Sequence, residues 1–296
     1  MATKLGKLGV WAFIDNMTAT EAVQFAQQLE QWGYSALWIP EAVGRDPFSI
    51  ISFMAAKTEK LIFATGIANI YARDPMAMNA IHKTISELAP GRFVLGLGVS
   101  HAPLVTGIRG HEYRKPVSTM RSYLDAMKNA FYMAATAQEQ APILLGALRQ
   151  NMLQLSAELA YGAHPYFVPP AHTAWAREIL GPDAWLCPEQ MLCLETDAER
   201  ARTIARAHMA TYTGLDNYKN NLKQFGFVET DFDNGGSDKL VDAIFGWGDE
   251  QALRARLQAH WDAGANHVCI QTFKDETERG PDLALLELLA PLNTPR

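Results

Sequence analysis

Residues 91–103 constrain the fold more than any other part of this chain. An apolar run with β-branched residues and closely spaced glycines, residues 93–99, leads there into a polar segment that contains Ser100 and His101. Such a run is typical of a strand buried on both faces of a parallel sheet. In a closed α/β barrel the carboxyl ends of the strands carry the chemistry, so we expect Ser100 and His101 to face a ligand.

Similar apolar runs alternate with helical patterns along the whole chain. The predicted strands are residues 8–13, 36–39, 61–67, 93–99, 143–145, 162–166, 185–194 and 267–273. Eight strands that alternate with helices predict a parallel sheet closed into a (β/α)8 barrel. An open doubly wound sheet is the rival fold. It is less favoured because no Gly-x-Gly-x-x-Gly loop follows the first strand.

Two connections are longer than the rest. A long helix is predicted over residues 117–135, between strands four and five. The pattern of residues 197–247 predicts two or three helices. This segment is too long for a single crossover, so we interpret it as an insertion between strands seven and eight. Because α/β barrels of this length commonly form one domain, we expect residues 1–296 to be a single barrel.

Composition and missing motifs exclude several classes of function. The net charge is -6 without runs of like charge, so neither a nucleic-acid partner nor an anionic membrane is expected. The three cysteines are widely spaced in apolar surroundings, which predicts reduced thiols in a cytoplasmic protein. The sequence has no Gly-x-Ser-x-Gly, His-Glu-x-x-His or Cys-x-x-Cys motif, so we expect neither a serine hydrolase nor a zinc site.

Four passages, in order along the chain, resemble the luciferase-like flavin and deazaflavin oxidoreductase superfamily. They are residues 33–41 (GYSALWIPE), 64–67 with 73–75 (ATGI and RDP), 91–98 (GRFVLGLG) and 157–163 (AELAYGA). Members of that superfamily are (β/α)8 barrels with an insertion near strand seven, so the resemblance implies the same luciferase-like barrel here. The passages VSHAP at 99–103 and GAHPY at 162–166 are similar to the branch that uses coenzyme F420.

The resemblance implies an F420-dependent oxidoreductase that transfers a hydride between the deazaflavin C5 and a small organic substrate. Two alternatives stay open. One is an FMN-dependent monooxygenase with the same fold, and the other is a barrel that binds a flavin or deazaflavin without turnover. Apolar helices around the insertion predict a homodimer.

The resemblance also implies a cofactor site. Residues Gly66, Ile67, Ala68 and Asn69 would form a bulge, often with a non-prolyl cis peptide, against the central ring of the cofactor, and Val99 and Ser100 would lie nearby. The segment Gly146, Ala147, Leu148 and Arg149 would lie beside the phosphate of the cofactor. Backbone N–H groups at a helix start, with an arginine, suit that role. An ordinary strand end and an ordinary loop are the simpler interpretations of these segments.

Two residues are candidates for proton transfer. His101 follows strand four, and an imidazole titrates near neutral pH, which suits a proton transfer coupled to hydride transfer. Glu41 stands where related deazaflavin enzymes have an acidic residue, although a carboxylate favoured by a helix N-terminus would explain it equally well. Ala42 follows Glu41 where a related sugar-phosphate dehydrogenase branch has a catalytic histidine. The substrate of that branch is therefore in doubt here.

Four further residues are predicted to contact the substrate. Phe13, Tyr113 and Tyr166 supply aromatic surface at or near strand ends, and His164 ends strand six. Most aromatic side chains in barrels belong to the core, which is the alternative for this group.

Overall fold

Parallel strands form one continuous sheet in the computed structural model, which describes residues 3–278 and 280–293. The strands are β1 (Leu8–Trp11), β2 (Ala36–Ile39), β3 (Ile62–Thr65), β4 (Ala68–Asn69), β5 (Phe93–Gly98), β6 (Ile143–Leu145), β7 (Gly162–Ala163), β8 (Trp185–Leu186), β9 (Glu189–Leu194), β10 (Gly246–Gly248) and β11 (Val268–Thr272). Their order is β10-β9-β11-β1-β2-β3-β5-β6-β7-β8, with β4 also paired to β5. Neighbours in this order are consecutive along the chain almost throughout, as is usual where helical crossovers join parallel strands.

The sheet closes on itself between β8 and β9. Only Cys187 and Pro188 separate these two strands, and both stay in the hydrogen-bond ladder. The Cys187 N–H donates to the carbonyl of Ala163 at 2.9 Å, and the Cys269 N–H donates to the carbonyl of Pro188 at 3.0 Å. β8 and β9 are therefore two halves of the predicted strand seven, and the expected barrel is confirmed.

Helices cover the outer face of the barrel. They are α1 (Ala19–Gln31), α2 (Pro47–Ala55), α3 (Pro75–Leu88), α4 (Pro116–Lys128), α5 (Gln150–Leu159), α6 (Pro170–Leu180), α7 (Ala198–Thr213), α8 (Asp216–Leu222), α9 (Asp238–Ile244), α10 (Glu250–Asp262) and α11 (Leu283–Leu288). The sequence explains their starts: Thr18 and Glu21 form the capping box of α1, and proline opens four of the others. None of the helices in the described ranges has the length and apolar character needed to cross a bilayer.

The insertion between β9 and β11 is helical, as predicted. It contains α7, α8 and α9 and ends in the short strand β10, which extends the sheet beside β9 and which the sequence pattern does not reveal. Apolar residues of this insertion pack into a cluster that includes Ile204, Met209 and Leu240, separate from the main cluster of the barrel.

The predicted helix over residues 117–135 is wrong in its second half. α4 ends at Lys128, and its C-cap is Asn129. Phe131 and Met133 continue the apolar pattern of the sequence, but their side chains are exposed, so they gain little apolar packing from the described residues. Without such packing, periodicity alone does not hold a helix together.

Trp38 fills the centre of the barrel. Its indole is fully buried, stacks on the His164 ring at a centroid distance of 4.5 Å, and donates from Nε1 to His267 Nε2 at 3.0 Å. His267 in turn donates from Nδ1 to the carbonyl of Gly6 at 2.6 Å, and burial lowers the pKa of His267 to about 4. A neutral imidazole with its proton on Nδ1 satisfies both contacts.

We expect the substitution Trp38→Phe to lower the free energy of unfolding by about 1–3 kcal/mol, because it leaves His267 Nε2 buried without a donor. Urea unfolding at pH 7 measures the change. The control is Trp32→Phe, since Trp32 is half-buried against the core and its indole has no hydrogen-bond partner among the described residues. Equal effects of the two substitutions would contradict the assigned hydrogen bond.

Candidate functional site

A cavity of about 890 Å³ lies at the carboxyl ends of the barrel strands. All of the predicted site residues except Ala68 and Asn69 line it. Its walls combine strand-end loops of the barrel with residues 211–218 and Gln224 of the insertion, which covers one side. The barrel therefore brings together residues that are more than 150 positions apart in sequence, in the place where barrels of this kind hold their ligands.

Ala68 and Asn69 do not reach the cavity, contrary to the expected cofactor contact. They form β4, where both residues are buried and pair with β5. The Asn69 side chain accepts a hydrogen bond from the Tyr71 N–H at 2.9 Å. Because Ala68 and Asn69 pair with β5 and are buried, they support the bulge from behind and do not contact a ligand in the cavity.

The bulge between β3 and β4 consists of Gly66 and Ile67, whose peptide bond is cis. Its carbonyls are held from two sides. Trp11 Nε1 donates to the Gly66 carbonyl at 2.9 Å, and the Glu41 N–H donates to the Ile67 carbonyl at 3.2 Å. A Cβ on Gly98 would lie 2.2 Å from Ile67 Cδ1, so a larger residue at that position would force the Ile67 side chain to move.

Glu41 is engaged through both carboxylate oxygens. Oε1 pairs with Arg73 at 2.6 Å, and Oε2 accepts a hydrogen bond from the Asn69 N–H at 2.8 Å. Little of the side chain is exposed. These contacts hold the bulge to the loop after β2, and they engage both carboxylate oxygens of Glu41 within the protein.

His101 lies in the loop after β5, as predicted, and lines the cavity. The preceding Ser100 has a left-handed backbone with φ of 56°, and the Tyr113 hydroxyl donates to its carbonyl at 3.3 Å. The His101 ring lies 5.2 Å from the ring of Tyr218 and makes no side-chain hydrogen bond within the described residues. Burial lowers the pKa of His101 below its ordinary value, so the imidazole is neutral at pH 7 and can accept a proton.

His164 is a second neutral imidazole in the cavity wall. Its Nδ1 is 2.7 Å from the Cys187 carbonyl and must carry the proton, since a carbonyl only accepts. Nε2 is therefore an acceptor, and it is buried without a partner among the residues that the structure describes. Burial lowers the pKa of His164 to about 4. The ring thus offers a fixed lone pair to an N–H or O–H group of a ligand.

Tyrosines of the insertion extend the site in a way that the sequence does not predict. The hydroxyls of Tyr166 and Tyr212 are 2.8 Å apart, and Tyr166 also donates to Gln271 Oε1 at 2.8 Å. Tyr218 packs against both rings and lines the cavity. Tyr212 and Tyr218, six positions apart in the insertion, are the sequence feature that could have indicated this extension of the site. Their partners become evident only once the insertion folds over the barrel.

The loop of residues 146–149 leads into α5, whose first turn points at the cavity. Arg149 is the N-cap and gives no side-chain cap. The N–H groups of Met152 and Leu153 donate to the Arg149 carbonyl, whereas those of Gln150 and Asn151 have no acceptor among the described residues. Gln150, Asn151 and the Arg149 side chain also line the cavity. Free N–H groups at a helix start beside a guanidinium form a site suited to an anion.

Glu189, at the start of β9, is a buried carboxyl group that sequence reasoning missed. Oε2 accepts a hydrogen bond from the Phe167 N–H at 3.4 Å, and Oε1 is buried without a partner among residues 3–278 and 280–293. Burial raises the pKa of Glu189 to about 8, so it is largely protonated at neutral pH. The signal in the sequence was a carboxylate at the head of a strand, Glu189–Leu194, whose last four residues are apolar.

We expect Glu189→Gln to gain stability relative to the parent as the pH rises from 5 to 8. In the unfolded chain Glu189 ionises near pH 4.5, whereas in the folded protein it keeps its proton to about pH 8. The parent therefore loses up to about 1.4 kcal/mol of unfolding free energy per pH unit in this window, and the glutamine variant does not. Denaturant unfolding at several pH values measures the difference.

Glu158→Gln is the matched control. Glu158 is exposed and paired with Arg121, and this pairing lowers the pKa of its carboxyl, so its charge does not change between pH 5 and 8. A stability difference between parent and Glu189→Gln that is constant over this pH range would show that Glu189 ionises normally.

A group of three or more His, Cys, Asp or Glu side chains able to hold a metal ion is absent from the described part of the chain. The polar groups that line the cavity are imidazole, hydroxyl, amide and guanidinium groups and the Glu41 carboxylate. This set suits an organic ligand with hydrogen-bonding edges and an anionic group.

Residues 6–267 match a family model described as luciferase-like monooxygenase. One relative, from Mycobacterium tuberculosis, is named as a coenzyme F420-dependent oxidoreductase; it is 26% identical over 198 residues, which cover 56% of each chain. The chain spans about half the length of the curated relatives it matches.

Two solved structures extend the comparison to almost the whole chain. The coenzyme F420-dependent tetrahydromethanopterin reductase from Methanopyrus kandleri superposes with a TM-score of 0.72 at 16% identity, covering 97% of this chain and 98% of that one. The oxygenating constituent of 3,6-diketocamphane monooxygenase from Pseudomonas putida, solved with FMN, gives 0.68 at 13% identity and covers 97% of each. At these identities the likeness establishes the fold alone.

Proposed function

The chain belongs to the luciferase-like monooxygenase family, and we propose that it is an oxidoreductase that uses coenzyme F420 and acts on a small organic substrate. The names of its relatives and structural neighbours support an oxidoreductase with a deazaflavin or a flavin. The choice of F420 over FMN is the more specific part of the proposal, and it is based on the relatives found by sequence.

One observation carries the proposal: the bulge of Gly66 and Ile67 and the uncapped start of α5 lie on the wall of the same cavity. The bulge offers an apolar surface for a flat ring, with the His164 Nε2 acceptor also in the wall. The start of α5 and Arg149 offer N–H donors to a phosphate. These residues fit a deazaflavin with an anionic side chain, and the cavity has the volume of a cofactor site.

When bound, the deazaflavin supplies a carbon centre that donates or accepts a hydride. The protein supplies orientation and a proton acceptor. Neutral His101 lies in the loop after β5, where it can take the proton of a substrate hydroxyl during oxidation or return it during reduction. Tyr113 and Tyr218 pack around this loop and limit the access of water.

We expect F420 to bind more tightly than FMN. Titration of the purified protein with each cofactor, followed by the quenching of tryptophan fluorescence, measures both affinities, since Trp11 lies in the cavity wall. Arg149→Gln should weaken F420 binding by about tenfold or more, because it removes a charged hydrogen-bond donor. The same variant should bind the phosphate-free deazaflavin fragment as the parent does. Tight FMN binding without F420 binding would instead favour a monooxygenase.

We expect Gly66→Ala to weaken cofactor binding by about tenfold or more while changing stability less. A Cβ at this position would lie 2.6 Å from Trp11 Nε1, so the bulge or the indole must move. Gly107→Ala is the control, because nothing lies within 4 Å of a Cβ there. Fluorescence titration and thermal unfolding separate the two effects, and an unchanged affinity in the folded Gly66→Ala variant would exclude a ring contact at the bulge.

We expect His101→Ala to lower turnover by about 10² to 10⁴-fold with little change in cofactor affinity, as loss of a general base does. Because the neutral form of His101 accepts the proton, turnover of the parent should fall as the pH drops through the pKa of this residue. The variant should lack that acid limb. His101→Gln keeps hydrogen bonding without proton transfer, so recovery of turnover in that variant would make His101 a positioning residue. Deazaflavin absorbance follows the reaction.

A further inference from the structure

A second, smaller cavity of about 320 Å³ opens beside the main one. It is lined by residues 41–46 of the loop between β2 and α2, by Arg73, and by Ile108 and Arg109 at the end of the π-helical turn Pro103–Ile108. Glu41, Ala42 and Ile108 line both cavities, so the two are adjacent and share part of their wall. We call this smaller cavity the arginine vestibule.

The three arginines of the vestibule differ in their partners. Arg73 is engaged by two carboxylates, since it forms ion pairs with Glu41 and Asp46, which also line the vestibule. Arg45 donates from Nη2 to the Met17 carbonyl at 2.5 Å, and Arg109 donates from Nη2 to the Ala42 carbonyl at 3.3 Å. Neither Arg45 nor Arg109 forms an ion pair with a carboxylate in the described part of the chain.

Each of these two guanidinium groups also has a buried nitrogen without an acceptor. The atoms are Arg45 Nη1 and Arg109 Nε, and no described residue accepts a hydrogen bond from either. Buried polar groups in proteins nearly always have partners, and an unsatisfied charged donor is costly. A planar guanidinium matches the geometry of a carboxylate or phosphate, which supplies oxygen acceptors and negative charge together.

We propose that the arginine vestibule binds a carboxylate or phosphate group of the substrate, whose apolar body lies in the main cavity. This inference rests on the proposed function for its account of the main cavity. Ile108 lies between the two cavities and gives an apolar surface to the connecting part of the molecule. The substrate is therefore an anionic organic molecule with an apolar portion.

The anionic tail of the cofactor is the other possible source of such a group. Its phosphate, however, is assigned to the start of α5, which follows β6. In the sheet β3 and β5 lie between β2 and β6, so the start of α5 and the vestibule loop are on different sides of the barrel mouth. The vestibule is therefore still free to bind a second anion when the cofactor occupies the main cavity.

Inorganic phosphate is the probe, and thermal unfolding at constant ionic strength is the measurement. Phosphate should raise the unfolding midpoint of the F420-loaded protein relative to chloride. In Arg45→Gln and Arg109→Gln the half-saturating phosphate concentration should rise by about tenfold or more. Arg114→Gln is the control, since Arg114 is exposed and paired with Glu112, and it should respond as the parent does. Midpoints in chloride alone report whether each variant folds.

A second arm uses the cofactor-free Arg149→Gln variant, in which the anion position at α5 is removed. A phosphate response that persists there and disappears when Arg109→Gln is added supports the vestibule even if F420 fails to bind. Absence of a phosphate response in both arms would overturn the proposal. A loss of F420 affinity in Arg109→Gln, with normal binding of the phosphate-free fragment, would also overturn it, because the vestibule would then hold the cofactor tail.

Discussion

Closure of the sheet between β8 and β9 is the constraint on which the rest of the structure depends. Parallel strands joined by helical crossovers all point the same way, so closing the ladder gathers their carboxyl ends into one ring. It also removes the open edges of the sheet, leaving β10 as a short extension beside β9. The loops after β3, β5, β6 and β7 then face one another across the cavity without needing contacts of their own to bring them together.

Closure creates an interior that must be filled, and this chain fills part of it with polar rings. Trp38 is stacked on His164 and hydrogen-bonded to His267, which fixes the orientation of the two imidazoles. Burial holds both imidazoles neutral. The Nε2 lone pair of His164 in the cavity wall is thus a consequence of packing at the barrel axis.

The sequence was sufficient to predict the fold and many of the cavity residues. Strand periodicity and the loop position placed His101 at the barrel mouth, and the resemblance placed Gly66 and Ile67 in the bulge. The side-chain partners of Glu41 were beyond prediction, because they depend on Arg73 and Asn69, which lie about 30 positions away. The same holds for the tyrosines of the insertion and for Arg45 and Arg109, whose neighbours are set by tertiary packing and leave no periodic signal.

The insertion forms one side of the cavity, and its apolar residues pack with barrel residues such as Phe167 and Met191 into a cluster distinct from the main one. The bulge, the start of α5 and His101 all belong to the barrel, whereas Tyr212, Leu215 and Tyr218 belong to the insertion. The two parts of the chain thus contribute different walls of one cavity. Substitutions at the cavity-facing positions of the insertion would therefore change the shape of one wall while the bulge, the start of α5 and His101 keep their places.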